Sequence, residues 1–294
     1  MSYRSFPLAQ RRTARAAAAQ GVRWLMQTNE LTTKGAPTAI KTCLAAVFGG
    51  TFIFVCLVGF SLLTAQFNAD NWPAIPWFPL PVLAVVFGVA WWCDRRWDIG
   101  LRTRCQAPIT VIAAFAVTSN VAARAVWVLE KTWHGTVYSA PSGPDGVSAL
   151  FSATYWVVIS VALSTSSETC FRGIMQTQLS RHLGAAAAVG IVILFNTFSH
   201  PWDSLWPRFF GVLAILFAWG WLRHISGSLK VCILTHIAAV MIGDIIFWLT
   251  GPVAFGEYSN ADRVAVASVG LVSLVLSFYL SRQITQSTVG RENE

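Results

Sequence analysis

The chain alternates long apolar runs with short polar connections. A membrane-spanning helix needs about 20 mostly apolar residues, with a range near 17–25. On that measure eight helices are predicted, over about 42–65, 77–93, 108–129, 148–172, 184–200, 207–223, 229–250 and 263–281. The expected fold class is therefore an all-α polytopic membrane bundle of about eight transmembrane helices. Pro73, Pro76, Pro79 and Pro81 crowd the start of the second run, which makes it the least regular. The fifth and sixth runs are short and are expected to tilt or dip. No repeat of fixed period runs through the chain. The connection over 130–147 contains Ser-Ala-Pro-Ser-Gly-Pro-Asp-Gly and reads as a turn-rich loop.

Composition agrees with this pattern. Of the 294 residues, 55% are hydrophobic and 12% charged, with a mean hydropathy of +0.56. A soluble domain carries about 25% charged residues. Fourteen Trp and nineteen Phe suit interfacial belts and lipid-facing surfaces. The net charge of +8 does not point to nucleic acid, because the basic residues sit in short loops between apolar runs. Sixteen of the 21 Lys and Arg residues fall on one side of the predicted topology. Lys131, Arg208 and Arg263 fall on the other, and Arg124 and Arg172 lie within runs. The positive-inside rule then places both termini in the cytoplasm of an integral membrane protein.

Residues 1–41 are basic and rich in alanine. On a helix, Arg11, Arg12, Arg15 and Arg23 share an arc of about 120°, opposite Ala14, Ala17 and Trp24. That pattern reads as a topology anchor, or as a helix resting on an anionic leaflet. No cleavable leader is expected, since the first apolar run begins near Thr42. Cys43, Cys56, Cys93, Cys105, Cys170 and Cys232 form no Cys-x-x-Cys pair and read as reduced, buried thiols.

Ionisable residues at membrane depth are costly and point to function. Glu168 and Arg172 stand i, i+4 and share a helix face. His200 ends the fifth run before Pro201. His236 lies six residues past Lys230, about 9 Å along a helix, and Asp244 follows on roughly the same face. A carboxylate and a histidine can polarise a water for attack on an amide carbon, while a second histidine bonds the oxyanion. The same Glu168, His200 and His236 could instead hold a divalent metal such as zinc, which accepts two His and one Glu. Spacing does not separate these alternatives. On the third run, Asn120 and Arg124 share a face and either line a cavity or snorkel outward. His134, His182 and His224 carry no expected role.

Glu-x-x-Phe-Arg-Gly at 168–173, a helix ending in His200, and Gly-Ser-Leu followed by His236 resemble the CPBP family of intramembrane proteases. That family includes the CAAX prenyl endopeptidases and bacteriocin-processing or immunity proteins. The likeness covers about 155–250. Its motifs are Glu-Glu-x-x-x-Arg, Phe-x-x-x-His and His-x-x-x-Asn/Asp. Glu168, Arg172, His200 and His236 match them. Ser167 stands where the first Glu is usual, Asn196 where Phe is usual, and Val240 where Asn or Asp is usual.

The resemblance implies an endopeptidase that uses an activated water, with Glu168, His200, His236 and Arg172 as its catalytic set. Ser167, Asn196 and Asp244 are supporting residues that could supply the missing polar groups. The implied partners are membrane lipid and a hydrophobic or lipidated peptide substrate, with no nucleic acid. The alternative is a lapsed relative that binds a peptide or partner in an immunity or scaffold role. A transporter is disfavoured by the sparse ionisable groups. The expected organisation is a basic arm over 1–41, accessory helices over 42–146, a protease-like core over 147–250, and a last helix and tail over 251–294. One conflict remains in this reading. A straight fifth helix would carry His200 about 24 Å from its start, away from a shallower His236.

Overall fold

The computed structural model describes residues 36–71, 79–103, 105, 107–138, 149–200 and 205–291. Nearly all of the basic arm over 1–41, and part of the 130–147 loop, lie outside the described residues. Each of the eight apolar runs coincides with a helix. In chain order these are α1 (Ala36–Asn71), α2 (Pro79–Trp97), α3 (Ile109–His134) and α4 (Ala149–Ser167). A π-helical segment (Glu168–Gln176) and α5 (Thr177–Leu183) follow without a break. Then come α6 (Ala185–Phe198), α7 (Phe209–Ser226), α8 (Leu229–Thr250) and α9 (Asn260–Arg291). The fold is an all-α bundle. Its small addition is a two-residue antiparallel pairing of β1 (Val137–Tyr138) with β2 (Val253–Ala254).

Among the described residues, four helical stretches are long and apolar enough to cross a membrane: Ala39–Ser61, Ile109–His134, Trp206–Ser226 and Asn260–Gln286. They present exposed Phe48, Phe52, Leu271 and Phe278, apolar side chains that water would not tolerate in such density but lipid does. The chain is an integral membrane protein.

The connection between the fourth and fifth runs differs from expectation. Residues 173–183 form helix rather than loop. The reason is a stripe at four-residue spacing: Phe171, Met175 and Leu179 are buried together against Val47 of α1 and Ala188 and Val192 of α6. Gly184, at φ 80°, makes the turn that sends α6 back along the segment.

Close approach of the helices depends on small residues, as is usual where helices pack without a hydrophobic drive between them. A Cβ on Gly211 of α7 would lie 2.6 Å from the Trp127 backbone of α3. A Cβ on Gly173 would press on Ile99 and Leu229 at 3.0 and 3.1 Å. Polar links add to this. Ser277 of α9 donates to Thr118 of α3 at 2.9 Å, and Trp221 of α7 donates to Ser281 at 2.8 Å.

The basic loop after α2 is a built structure and not only a topology signal. Asp94 is buried, accepts from the Leu101 N–H at 2.9 Å and pairs with Arg102 at 2.6 Å. This pulls Ile99 inward until it is fully enclosed with Ile174, Leu229 and Ile233. Arg223 of α7 clamps the loop from below, donating to the Ile99 carbonyl at 2.9 Å and to Thr177 at 3.2 Å.

Candidate active site

The π-helical segment holds the site. All nine of its residues, Glu168 to Gln176, are buried. A π turn inserts an extra residue per turn and recurs at functional sites, because it re-aims side chains that an α-helix would direct elsewhere. Two bonds seat the segment on α7. Arg172 donates to the Leu216 carbonyl at 3.3 Å, and Gln176 to the Gly220 carbonyl at 2.9 Å.

Glu168 is fully buried. Its Oε1 meets Nη1 of Arg172 at 3.4 Å and Nδ1 of His236, on α8, at 2.9 Å. A carboxylate removed from water needs compensating charge and hydrogen bonds, and these two partners supply both. Next to Arg172 the ionised carboxylate can only accept, so His236 Nδ1 carries the shared proton and Nε2 is left as a free acceptor. Glu168 has no access to solvent, whereas the His236 side chain is 14% exposed. The imidazole is thus the part of the pair that a reactant can reach.

Trp219 of α7 fixes the ring. Its centroid lies 3.7 Å from that of His236 with the planes 30° apart. The guanidinium of Arg172 sits 5.8 Å from the same indole. Trp219 Nε1 donates to Asn120 Oδ1 on α3 at 3.2 Å, and Asn120 is itself tied to the Ala116 carbonyl at 2.8 Å. Trp219 was not singled out by sequence, because a tryptophan in an apolar run resembles any lipid-facing aromatic.

Asn120 and Arg124 do line a cavity. A cleft of about 620 Å³ runs between α3 and α8. Its walls are almost wholly apolar, with Asn120, Arg124 and Thr235 as polar features. Arg124 reaches across to the Ala239 carbonyl at 3.4 Å. Trp219 stands between Asn120 on the cleft wall and His236.

The structure brings together Glu168, Arg172 and His236. It does not bond His200 to them. His200 Nδ1 meets the carbonyl of Asn196 at 3.0 Å, closing the end of α6, although the ring remains within electrostatic reach of Arg172. Ser167 is buried as the last residue of α4 and offers no carboxylate. The side chain of Asp244 lies outside those described. Asn196 is 2% exposed, and among the described residues its Nδ2 has no hydrogen-bond partner. Glu168 Oε2 and Thr197 Oγ1 are likewise unpartnered. Among the described residues, no group of three or more His, Cys, Asp or Glu side chains is placed to hold a metal ion. Glu168, Arg172 and His236 form an arrangement that can perform proton transfer at His236 Nε2, backed by a buried carboxylate.

Residues 149–242 match the family model of the Type II CAAX prenyl endopeptidase Rce1-like domain. No curated protein and no solved structure matches the chain. The stretch 149–242, which carries Glu168, Arg172, His200 and His236, is thus similar to an Rce1-like domain, consistent with a protease of the CPBP family.

Proposed function

We propose that the chain is an intramembrane endopeptidase that hydrolyses a hydrophobic or lipidated, membrane-tethered peptide with an activated water. The observation that supports this most is the buried 2.9 Å bond between Glu168 and His236, with Arg172 beside it. Glu168 then acts as the group that orients His236, and His236 Nε2 takes the proton from water as the oxygen attacks the carbonyl carbon. The same imidazolium returns the proton to the leaving amine when the tetrahedral intermediate collapses. Arg172 keeps Glu168 charged and in place. The apolar cleft beside Trp219 suits the substrate class, since an aliphatic chain loses nothing on leaving lipid for such walls.

A second reading is a non-catalytic receptor for such a peptide. Ser167 and Val240, where the family's motifs carry polar or acidic groups, favour it. The two are separated by incubating the purified chain, in liposomes, with a quenched fluorescent hydrophobic peptide. Hydrolysis that disappears in Glu168→Gln and His236→Ala supports the endopeptidase. Binding without cleavage, unchanged in both variants, supports the receptor. We also infer that both termini face the cytoplasm, on the sixteen-to-three division of basic residues. A fluorescent reporter that folds only in the cytoplasm, fused to either end, should light up; silence at both ends would reverse the orientation.

A further inference from the structure

We propose that Arg223 is a positioning residue for the reaction: working through the Thr177 hydroxyl, it holds Arg172, and with it the Glu168–His236 pair, in the geometry that transfers a proton. The role rests on the endopeptidase reading, but the geometry it fixes is measurable without cleavage. Arg223 acts from a distance, through two links whose directions are set by their chemistry.

Arg223 Nη2 lies 3.2 Å from Thr177 Oγ1, and that same oxygen lies 3.4 Å from the Arg172 carbonyl. A guanidinium only donates, so the hydroxyl accepts from Arg223. A carbonyl only accepts, so the single hydroxyl hydrogen goes to Arg172. At 3.4 Å this second bond is long for a hydroxyl, and a charged donor on the same oxygen strengthens it. Thr177 is the first residue of α5, where the π-helical segment gives way to α-helix. Its own N–H bonds the Ile174 carbonyl, and its hydroxyl adds the longer reach back to Arg172. The backbone of Arg172 is thereby tied to Thr177, and its guanidinium to the Leu216 carbonyl at 3.3 Å. Nη1 of that guanidinium meets Glu168 at 3.4 Å, and Glu168 meets His236 at 2.9 Å.

Arg223 is itself anchored. Nη2 also donates to the Ile99 carbonyl at 2.9 Å. A Cβ on Gly100 would fall 2.6 Å from that nitrogen, so the glycine leaves the guanidinium its place. The next carbonyl, that of Gly100, accepts from the Leu229 N–H at 2.9 Å. Leu229 opens α8, two turns before His236 and on the same face. Glu168 and His236 stand on separate elements. One guanidinium fastens the end of the first and, through the loop, the start of the second. A misplacement of about 1 Å between reacting groups can cost about 10²-fold in rate.

The test uses the full chain in nanodiscs with Thr177→Val, Thr177→Ser, Arg223→Leu and the double variant of Thr177→Val with Arg223→Leu. Valine keeps the shape and removes the hydroxyl, while serine keeps the hydroxyl. Two quantities are read: cleavage of the quenched hydrophobic peptide, and the NMR resonance of the His236 Nδ1 proton, which reports its bond to Glu168. Thr177→Val and Arg223→Leu should each lose about 10- to 10²-fold in kcat with KM unchanged, and each should shift the Nδ1 proton. Thr177→Ser should stay close to wild type in both. The double variant should lose less than the product of the single losses, because both substitutions break one link. An unmoved resonance in the single variants, a change in KM alone, or a double loss equal to the product would overturn the role and leave the endopeptidase intact. Should Arg223→Leu fail to fold, Thr177→Val against Thr177→Ser carries the decision. If wild type itself cleaves nothing, the endopeptidase reading falls, and the resonance alone decides whether Arg223 and Thr177 hold the pair.

Discussion

Glu168 spends both of its contacts on holding charge in place. Arg172 stands 3.4 Å from Oε1 and His236 2.9 Å from the same oxygen, with no solvent at either carboxylate atom. Removing one member of an enclosed ion pair leaves the other uncompensated, at about 3–5 kcal/mol. Arg172→Ala should therefore unfold at a clearly lower temperature in detergent, and Arg172→Lys should recover part of the loss. An unchanged midpoint would mean that the pair does not form. His236 carries a second signature. With Nδ1 committed to Glu168, its chemistry resides at Nε2, so His236→Ala should lose about 10²- to 10⁴-fold in rate, and the lost hydrogen bond to the buried carboxylate should lower the unfolding temperature as well. His200 bonds its own helix end and should lose less. Paired rate measurements on the two variants check the ranking, and an equal loss would return His200 to the centre.

The π-helical segment is the element on which this geometry turns. Its extra residue per turn sets the rotation between Glu168 and the α4 helix before it. Deleting Thr169 would remove the residue that widens the turn and so re-aim Glu168 relative to α4. Activity should vanish while far-ultraviolet dichroism keeps its helical intensity; retained activity would show that the π geometry is incidental. This element also marks the limit of what the sequence discloses. Helices were legible because apolar length alone decides them in lipid, and each predicted run holds one. Glu168, Arg172 and His236 were legible because ionisable groups at that depth are few. The π turn was not, since Glu168 and Arg172 at i, i+4 read equally well as α-helix. Nor was the α5 continuation, because Gln176, Gln178, Ser180 and Arg181 mask the Phe171, Met175 and Leu179 stripe. The straight fifth helix rising from a loop is replaced for the same reason. α6 starts beyond a helical hairpin and returns alongside the π-helical segment, with Ala188 and Val192 packed against Phe171, Met175 and Leu179. The role of Asn120 depended on Trp219, a partner 99 residues away that no local pattern reveals.

At the scale of the whole molecule, the accessory helices and the Rce1-like stretch form one packed body. The loop after α2 closes over the π-helical segment through Ile99, and α3 supplies Asn120 to the Trp219 shelf under His236. Asp94 fixes that loop with a part-buried bond from the Leu101 N–H, worth about 2 kcal/mol for a charged acceptor. Asp94→Ala should lower the unfolding temperature and loosen a region more than 70 residues from it in sequence. Faster hydrogen exchange over the π-helical segment would report this, and unchanged exchange would separate the loop from the site. The proposed activation of water by Glu168 and His236 inside the bundle is tested most directly by peptide cleavage with the purified chain in liposomes, run in ¹⁸O-water and read by mass spectrometry. One ¹⁸O is expected in the new carboxylate from wild type, and no cleavage from Glu168→Gln or His236→Ala. Cleavage that persists in both variants at the wild-type rate would contradict it.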